Sequence, residues 1–417
     1  MNALRFLQEV SGLIGLLFLI CYFYQLLYIP VALLGRKKER AAVPPRRYAV
    51  LISARNEEAV IGRLLDSIRQ QDYPADYVVP FVVADNCSDG TARAARDAGA
   101  VVYERTDRTH VGKGYALDFL LGQIRDAWGD EYFDGYFVFD ADNLLRPDYI
   151  SRMNEVFSPQ RQIVTSYRNS KNFGDNWISA GYGLWFIRDS FFLNHPRARL
   201  GISAVVAGTG FLFSREIMLK NGGWPFHSLS EDTEFTVRSV LQGEKVSFCR
   251  EAELFDEQPT RFSQSWNQRL RWVRGNIQVF SRHGWALLKG LGGKNALSCL
   301  DLLLSIPPAI LLTVCSTAVG IVVTVLELLA GNSPLPLLAA GLSSFLVPYG
   351  LLFLAGAVTT VTQWSHIHAA PWKRVLYTFT FPLFILTYIP ITIAALFGRV
   401  EWKPIEHKAA ITLQDLR

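Results

Sequence analysis

Hydrophobic positions follow two different patterns along this chain of 417 residues. Long apolar runs occupy the two ends, whereas the middle carries short apolar runs of strand length that alternate with helical patterns. The short runs are Tyr48–Ser53, Val78–Ala84 and Tyr136–Phe139, and the helical patterns after the first two are Glu57–Gln71 and Thr91–Ala98. Strands that alternate with helices form a mainly parallel sheet. We therefore predict an α/β domain over residues 46–275.

The first long apolar run, Gly12–Leu34, contains no charged residue and is long enough to cross a bilayer. A signal peptide would have a shorter apolar core and a small-residue cleavage site, so we predict a transmembrane helix within residues 1–35. Basic residues follow the run, namely Arg36, Lys37, Lys38, Arg40, Arg46 and Arg47. The positive-inside rule therefore places the next domain in the cytoplasm, as part of a multi-pass protein of the plasma membrane.

Three further apolar runs lie in the C-terminal region, residues 296–398. We predict that Leu297–Leu329 and Leu335–Val361 cross the membrane. Val375–Phe397 is ambiguous, because basic residues flank both of its ends and its prolines can break it into a re-entrant or interfacial pair of helices. We favour cytoplasmic ends on both sides of this run, and hence a cytosolic tail at residues 399–417.

Residues 276–295 connect the predicted α/β domain to these runs. They mix aromatic and aliphatic side chains with Arg282, Lys289 and Lys294. This mixture predicts an amphipathic helix at the membrane interface, and a surface helix of the soluble domain is the alternative.

Composition supports a membrane-associated protein. Half of the residues are hydrophobic, only 19% are charged, and the net charge is +5. Because the basic residues gather beside apolar runs, we predict a lipid bilayer rather than a nucleic acid as partner. The five cysteines form no CxxC pair, which argues against a zinc site or a disulfide framework.

Polar side chains follow the ends of the three predicted strands. Asn56 and Glu57 come after the first strand, Asp85 ends the second, and Asp140-Ala141-Asp142 ends the third. The carboxyl ends of parallel strands are where such sheets bind ligands. Mg²⁺ and Mn²⁺ take one or two protein carboxylates and complete their shells with phosphate oxygens. The alternative for Ser88–Thr91, next to Asp85, is a turn and helix cap.

Two glycine-containing segments are weaker candidates. Lys113 lies in Gly112-Lys113-Gly114, which lacks the serine or threonine of a Walker loop, so it contacts either a phosphate, a site carboxylate or solvent. Gly208-Thr209-Gly210 allows close approach of the backbone to a ligand, and a simple turn into a strand is the alternative.

Ser230-Glu231-Asp232 opens a helical pattern over Thr233–Gln242. Ser230 is predicted as the N-cap, and acids in a first helical turn are favoured by the helix dipole. A carboxylate at a helix start within a cleft can also act as a general base.

Gln268-Arg269-Leu270-Arg271-Trp272 lies on a helical stretch, so Gln268, Arg271 and Trp272 converge on one face. Arginine binds diphosphates in a bidentate manner, and an indole offers a flat surface to a sugar ring. An amphipathic helix that approaches the membrane is the alternative.

These clusters occur in the order found in the membrane-integrated family 2 glycosyltransferases, the cellulose, chitin and hyaluronan synthases, which the chain resembles over about residues 46–280. The resemblance implies a GT-A fold, inversion at the anomeric carbon, a UDP-sugar donor and Mg²⁺ or Mn²⁺. It implies that Glu57 and Asp85 bind the uridine, that Asp142 with Asp140 binds the metal, and that Arg271 binds the diphosphate. Asp232, beside Glu231, would be the general base, and Trp272 would contact the acceptor sugar. Ser230 replaces the family's usual threonine.

We place Asn56, Lys113, Asp140 and Gln268 with the donor site, and Gly208-Thr209-Gly210 with the acceptor. Trp402-Lys403-Pro404-Ile405-Glu406-His407 resembles the gating segment that some members fold over the nucleotide.

The resulting hypothesis is an inverting polysaccharide synthase that uses UDP-glucose or UDP-N-acetylglucosamine and exports a β-linked polymer, with export or accessory proteins as further partners. The first alternative is a non-processive glycosyltransferase with a membrane lipid as acceptor. The second is a transporter or scaffold that only binds nucleotide. No residue chooses between the two sugars.

Overall fold

The computed structural model describes residues 2–34, 43–331, 334–397, 407 and 411–415. Its centre is an eight-stranded sheet in the order β3-β2-β1-β4-β7-β6-β8-β5. The strands are β1 (Tyr48–Ala54), β2 (Val78–Asp85), β3 (Val101–Arg105), β4 (Gly135–Asp140), β5 (Leu144–Leu145), β6 (Ile163–Ser170), β7 (Phe211–Ser214) and β8 (Val246–Asp256).

The helices are α1 (Asn2–Leu33), α2 (Ile61–Arg69), α3 (Thr91–Asp97), α4 (Lys113–Trp128), α5 (Tyr149–Val156), α6 (Trp177–Arg188), α7 (His195–Arg199), α8 (Arg215–Asn221), α9 (Glu231–Leu241), α10 (Phe262–Gly290), α11 (Ala296–Ser305), α12 (Pro307–Leu329), α13 (Pro334–Thr362), α14 (Pro371–Leu386) and α15 (Tyr388–Phe397). A π-helical segment, Asp189–Asn194, joins α6 to α7. Short 3₁₀ turns cover Ala75–Tyr77 and Trp364–His366.

The predicted α/β class is confirmed, with a mixed sheet. β1 pairs in parallel with β2 and β4, β2 with β3, and β6 with β8. β7 runs antiparallel to both β4 and β6, and β5 is antiparallel to β8. The parallel register brings Ala54 beside Ala84 and Ser53 beside Asp140, so the carboxyl ends of β1, β2 and β4 meet at one edge.

Strands β1, β2 and β4 are nearly continuous apolar runs because both faces of the sheet are covered there. Successive side chains alternate between the faces. Along β1, Ala49 and Leu51 join one core, whereas Val50 and Ile52 join the core on the opposite face.

Among the residues that the structure describes, four helical regions are long and apolar enough to cross a membrane: Arg5–Leu33, Ala296–Leu329, Gly341–Thr362 and Pro371–Phe397. The second is interrupted at Ile306, just before Pro307 and Pro308. The fourth is interrupted at Thr387, so the run that was ambiguous in the sequence forms the two helices α14 and α15.

The α14–α15 pair packs against the α/β domain as well as against the other apolar helices. α14 contacts α6 and α13, and α15 contacts α10 and α12. The described part of the tail returns to the same domain, where Ile411 and Leu413 pack against Leu144 and Phe255.

Helix α10 is continuous across the predicted boundary at 275/276. No proline interrupts it, and Gly275 packs so closely on Ser230 that a Cβ would lie 2.2 Å from the serine hydroxyl. Its far end carries Trp285, which is 70% exposed, with the Lys289 ammonium 5.7 Å from the ring centroid. Exposed tryptophan beside a basic residue is typical of a membrane interface.

Candidate active site

Two asparagines shape the ends of β1 and β2. Asn56 has φ 57° and Asn86 has φ 53°, the left-handed region that asparagine enters more readily than most residues. The Asn56 side chain accepts a hydrogen bond from the backbone N–H of Ser88 at 2.8 Å, which ties the two strand ends together. The loops that follow β1 and β2, at the sheet edge predicted to bind the donor, are therefore hydrogen-bonded to each other.

Asp85 at the end of β2 is buried and paired. Its Oδ1 accepts hydrogen bonds from Arg105 at 2.6 Å and from the Asn86 amide at 3.0 Å. Burial raises the pKa of Asp85, and the Arg105 guanidinium opposes this effect. Arg105, at the end of β3, is an addition to the site that the predicted strands did not include.

Asp140 and Lys113 meet at the end of β4. The Lys113 ammonium donates to the Asp140 carboxylate and, at 2.7 Å, to the backbone oxygen of Gly208. The Asp140 backbone N–H donates to the Thr209 hydroxyl at 3.0 Å. Of the three alternatives for Lys113, contact with a site carboxylate is the one observed.

Gly208 also lies beside the proposed base, since a Cβ at this position would lie 3.5 Å from Asp232 Oδ2. Gly208 and Gly210 adopt positive φ angles of 79° and 67°. At Gly210 a Cβ would lie 1.9 Å from Leu254, so only glycine fits there. The loop thus connects the β4 carboxylates to the start of α9.

Asp142, Glu57 and His407 form a second buried group. His407 Nδ1 lies 2.9 Å from Glu57 Oε2, although the two residues are 350 positions apart. Burial would lower the pKa of His407, but Asp142 and Glu57 raise it to about 10. Burial would raise the pKa of Asp142, but the positive charges of His407 and Lys171 lower it overall.

The donor set fits a hard divalent cation. Within the described ranges, no three histidine, cysteine or acidic side chains already converge as a metal cluster. Mg²⁺ or Mn²⁺ needs only one or two protein ligands when a diphosphate supplies the others. The lowered pKa of Asp142 favours the carboxylate form that a metal needs. Glu57 holds one ring nitrogen of His407, as second-shell carboxylates do at metal sites, and the ring would have to lose its proton before it could bind a metal.

His407 is the described residue of the predicted gating segment. Trp402-Lys403-Pro404-Ile405-Glu406 and most of the tail at 399–417 lie outside the described residues. The described part of the tail lies beside the sheet edge that is predicted to bind the donor. His407 contacts Glu57 there, and Ile411 and Leu413 pack against Leu144 and Phe255.

Glu231 and Asp232 begin α9. Burial and the neighbouring Asp232 charge raise the pKa of Glu231 to about 7. Burial also raises the pKa of Asp232, while the backbone N–H of Thr233 donates to its Oδ1 at 2.7 Å and opposes that rise. Ser230 occupies the N-cap position but does not cap the helix through its side chain, because its hydroxyl donates to the Trp272 carbonyl at 3.4 Å.

These shifts predict an acid limb in the pH profile of turnover. A general base acts only when ionised, and a raised pKa moves its loss of activity from acidic pH towards neutrality. We expect kcat to rise with pH through about 7, with an apparent pKa that belongs to the Glu231–Asp232 pair. A kcat–pH profile of the purified protein measures this, and a profile that stays flat below pH ~6 would contradict it.

The face of α10 that carries Gln268, Arg271 and Trp272 turns towards the same loop. Arg271 donates to the Leu229 carbonyl at 3.3 Å, and Gln268 Oε1 is buried without a hydrogen bond among the described residues. Trp272 packs edge-to-face against Tyr182 and Phe186, with centroids 5.8 and 6.3 Å away.

Arg168 and Asp256 also belong to this site. Arg168 Nε donates to Asp256 at 2.7 Å, Nη1 donates to the Ala207 carbonyl at 2.6 Å, and the guanidinium lies 3.7 Å from the Phe186 centroid. Burial raises the pKa of Asp256 to about 6 against the influence of Arg168. Asp256 ends β8 just as Asp85 and Asp140 end their strands, and the short apolar pair Leu254-Phe255 before this acid was the one local signal for it.

The predicted residues therefore converge. Lys113 joins Asp140 to the Gly208 loop, and Lys113, Arg271 and Arg168 all stabilise the charge on Asp232. One region is thus surrounded by acidic strand ends, by basic side chains and by an aromatic wall, which Tyr182, Phe186 and Phe384 form beside Trp272. A GT-A-type domain with this arrangement defines a glycosyltransferase.

The sequence profile described as "Glycosyltransferase like family 2" matches residues 44–275, more than half of the chain. The protein therefore belongs to glycosyltransferase family 2. The fold is similar to that of the mannosyltransferase PcManGT from Pyrobaculum calidifontis, solved with GDP-Man and Mn²⁺, with a TM-score of 0.56 and 18% identity over 93% of this chain and 99% of that one. This match supports the GT-A fold.

Among curated proteins, the chain is 27% identical over 268 residues to the beta-monoglucosyldiacylglycerol synthase of Synechocystis sp., covering 64% of this chain and 55% of that protein. It is 28% identical over 253 residues to the probable glycosyltransferase YdaM of Bacillus subtilis, covering 56% of each. A cellulose synthase subunit of Dictyostelium discoideum is 24% identical over 166 residues, 39% of this chain and 16% of that one. The chain thus spans about half the length of the first two.

Proposed function

We propose that this protein transfers a single hexose from a nucleotide-sugar, most simply UDP-glucose, to a hydroxyl group of a membrane lipid, with inversion at the anomeric carbon. The acceptor is a neutral lipid of the diacylglycerol class. This is the lipid alternative of the sequence hypothesis, and it replaces the polysaccharide acceptor as the favoured one. UDP-N-acetylglucosamine is the competing donor.

The observation that carries the proposal is the packing behind Trp272. In a synthase that exports a polymer, the sugar chain must pass beyond this tryptophan. Here Tyr182, Phe186 and Phe384 join it in one aromatic cluster, and Phe384 is only 1% exposed. Tyr182 and Phe384 have centroids 4.9 Å apart. This packing supports an acceptor that does not pass beyond Trp272.

The sequence comparisons support a lipid acceptor as well. The Synechocystis relative is named for glucosyl transfer to diacylglycerol, whereas the cellulose synthase subunit matches a smaller part of this chain. The candidate membrane spans, and the exposed Trp285 on the far part of α10, support an acceptor that lies in the bilayer.

In the proposed mechanism, Asp232 accepts the proton of the acceptor hydroxyl as its oxygen forms a bond to the anomeric carbon. The bond from that carbon to the diphosphate oxygen breaks on the opposite face, and the electron pair leaves with the nucleoside diphosphate. Arg271 and Lys113 stabilise the negative charge that develops on the diphosphate. Glu231, beside Asp232, tunes the pKa of the base.

Asp142, with Asp140 and His407 close by, would hold Mg²⁺ or Mn²⁺, which when bound supplies further charge stabilisation to the diphosphate. Glu57 orients His407, and Asp85 with Asn56 forms the edge for the nucleoside. Arg168 and Asp256 lie between this edge and the aromatic wall, where they contact the hexose.

The proposal is tested with the full chain reconstituted in nanodiscs. The assay supplies UDP-glucose or UDP-N-acetylglucosamine with Mn²⁺, and either diacylglycerol or the same lipid with its free hydroxyl esterified. We expect UDP release and a glycolipid with diacylglycerol, and only background release with the esterified lipid. Equal UDP release with both lipids would contradict a lipid hydroxyl as acceptor. No turnover with either donor in the presence of metal would instead favour a nucleotide-binding scaffold.

A further inference from the structure

Arg269 lies within the Gln268–Trp272 cluster, yet the mechanism above does not use it. Its side chain is fully buried, with 0% exposure. Nη1 donates to the Phe384 carbonyl at 3.0 Å and to the Thr387 hydroxyl at 2.6 Å. Arg269 therefore binds the corner at which α14 ends and α15 begins.

The α14–α15 corner stabilises the positive charge of Arg269 in two ways. The last carbonyl groups of a helix lack partners within the helix and carry partial negative charge. Aromatic faces add to this, because the guanidinium carbon lies 4.4 Å from the Phe384 centroid, 5.0 Å from Tyr388 and 5.9 Å from Tyr182. Arg269 thus connects α10 to both the α14–α15 corner and the aromatic wall.

Stability alone does not account for an arginine at this position. Within the described part of the chain, Arg269 has no ion pair, and its Nη2 is buried without a hydrogen bond. A buried charge that is incompletely paired is costly, and a well-packed apolar residue of similar volume is often as stable or more stable.

Phe384, which Arg269 contacts, is part of the aromatic wall. Phe384 packs onto Gly181 of α6 so closely that a Cβ there would lie 2.3 Å from its ring. Tyr182, the next residue, contacts both Phe384 and Trp272. A shift of the α14–α15 corner would therefore move Phe384, then Tyr182, and then the surface beside Trp272.

We propose that Arg269 is a positioning residue for the acceptor: it fixes the α14–α15 corner, and through Phe384 and Tyr182 it sets the position of the wall on which the acceptor rests. The inference depends on the proposed lipid acceptor. Its distinctive consequence is a loss of acceptor affinity without a loss of donor-site function.

The test uses Arg269→Met, Arg269→Lys and Phe384→Leu in the full chain in nanodiscs. Arg274→Met is the matched control, because Arg274 also joins α10 to α15, by donating to the Ala395 carbonyl at 3.1 Å, but it does not contact the wall. The measurements are KM for diacylglycerol, KM for UDP-glucose, kcat, UDP release to water without lipid, and the melting temperature.

We expect Arg269→Met to raise the lipid KM about 10-fold, because small misplacements near a site are costly. The donor KM, the release of UDP to water and the melting temperature should stay close to the wild type. Phe384→Leu should also raise the lipid KM. The lipid KM of Arg269→Lys should lie between those of Arg269→Met and the wild type, and Arg274→Met should leave the lipid KM unchanged.

Equal lipid KM values for Arg269→Met and Arg274→Met would overturn the inference. If Arg269→Met lowers the melting temperature and every activity together, Phe384→Leu decides, and an unchanged lipid KM in that variant overturns it too. Failure of the proposed function is distinguishable, because the wild type itself would then show no transfer to diacylglycerol.

Discussion

Replacing Asp232 with asparagine will remove nearly all sugar transfer and leave UDP binding intact. Loss of a general base typically lowers the rate by about 10²–10⁴-fold. Asp232 has a raised pKa and lies beside the Gly208 loop, where a Cβ on Gly208 would be 3.5 Å from its Oδ2. Asparagine keeps the shape and the hydrogen bond from Thr233, so the nucleotide pocket should persist.

The measurement for Asp232→Asn is kcat in the nanodisc assay together with UDP affinity by calorimetry. The matched control is Glu216→Gln, which removes an exposed carboxylate from the first turn of another helix, α8. Turnover within a few-fold of the wild type would show that the assigned base is wrong. Loss of UDP binding as well would mean that Asp232 supports the donor pocket instead.

Replacing His407 with alanine will weaken metal binding and turnover. Groups that orient or surround a metal site typically contribute about 10–100-fold to metal affinity. His407 is the cation that faces Asp142, and Glu57 holds it at 2.9 Å. A histidine binds a metal only after it has lost its proton, so the neutral ring that Glu57 orients would face a bound metal, and alanine removes this ring.

For His407→Ala, the readouts are the Mn²⁺ concentration at half-maximal turnover and the affinity for UDP in the presence of Mn²⁺. We expect both to weaken by about 10–100-fold. His110→Ala is the control, because His110 is exposed and pairs with Asp107. An unchanged Mn²⁺ dependence, with normal UDP affinity, would place the tail outside the donor site.

Site residues could be predicted where one short segment contains both a recognisable strand and the polar side chain at its end. Asp85 and Asp140 were found because each ends an apolar run, and parallel strands bring such ends together. Asp256 also ends a strand, but Arg250, Glu251 and Glu253 interrupt the apolar pattern of β8, so this strand was not predicted.

Contacts between distant segments were the part that sequence patterns left out. Arg105 reaches Asp85 only because β3, which was not predicted, pairs with β2. The resemblance suggested that the segment ending at His407 folds over the nucleotide, but it did not predict the contact between the His407 ring and Glu57. The aromatic wall needs α6, α10 and α14 together, so no window of sequence contains it. Ser230 occupies the predicted N-cap position, but its hydroxyl donates to the Trp272 carbonyl of α10, and it makes no side-chain cap of α9.

If the protein adds one hexose to a lipid hydroxyl, its product must stop at a single sugar. Mass spectrometry of the product formed by the wild-type protein in nanodiscs, with diacylglycerol, excess UDP-glucose and Mn²⁺, decides this. We expect a glycolipid that carries one hexose and does not lengthen with time. A ladder of longer sugar chains, or a polymer not attached to lipid, would contradict it.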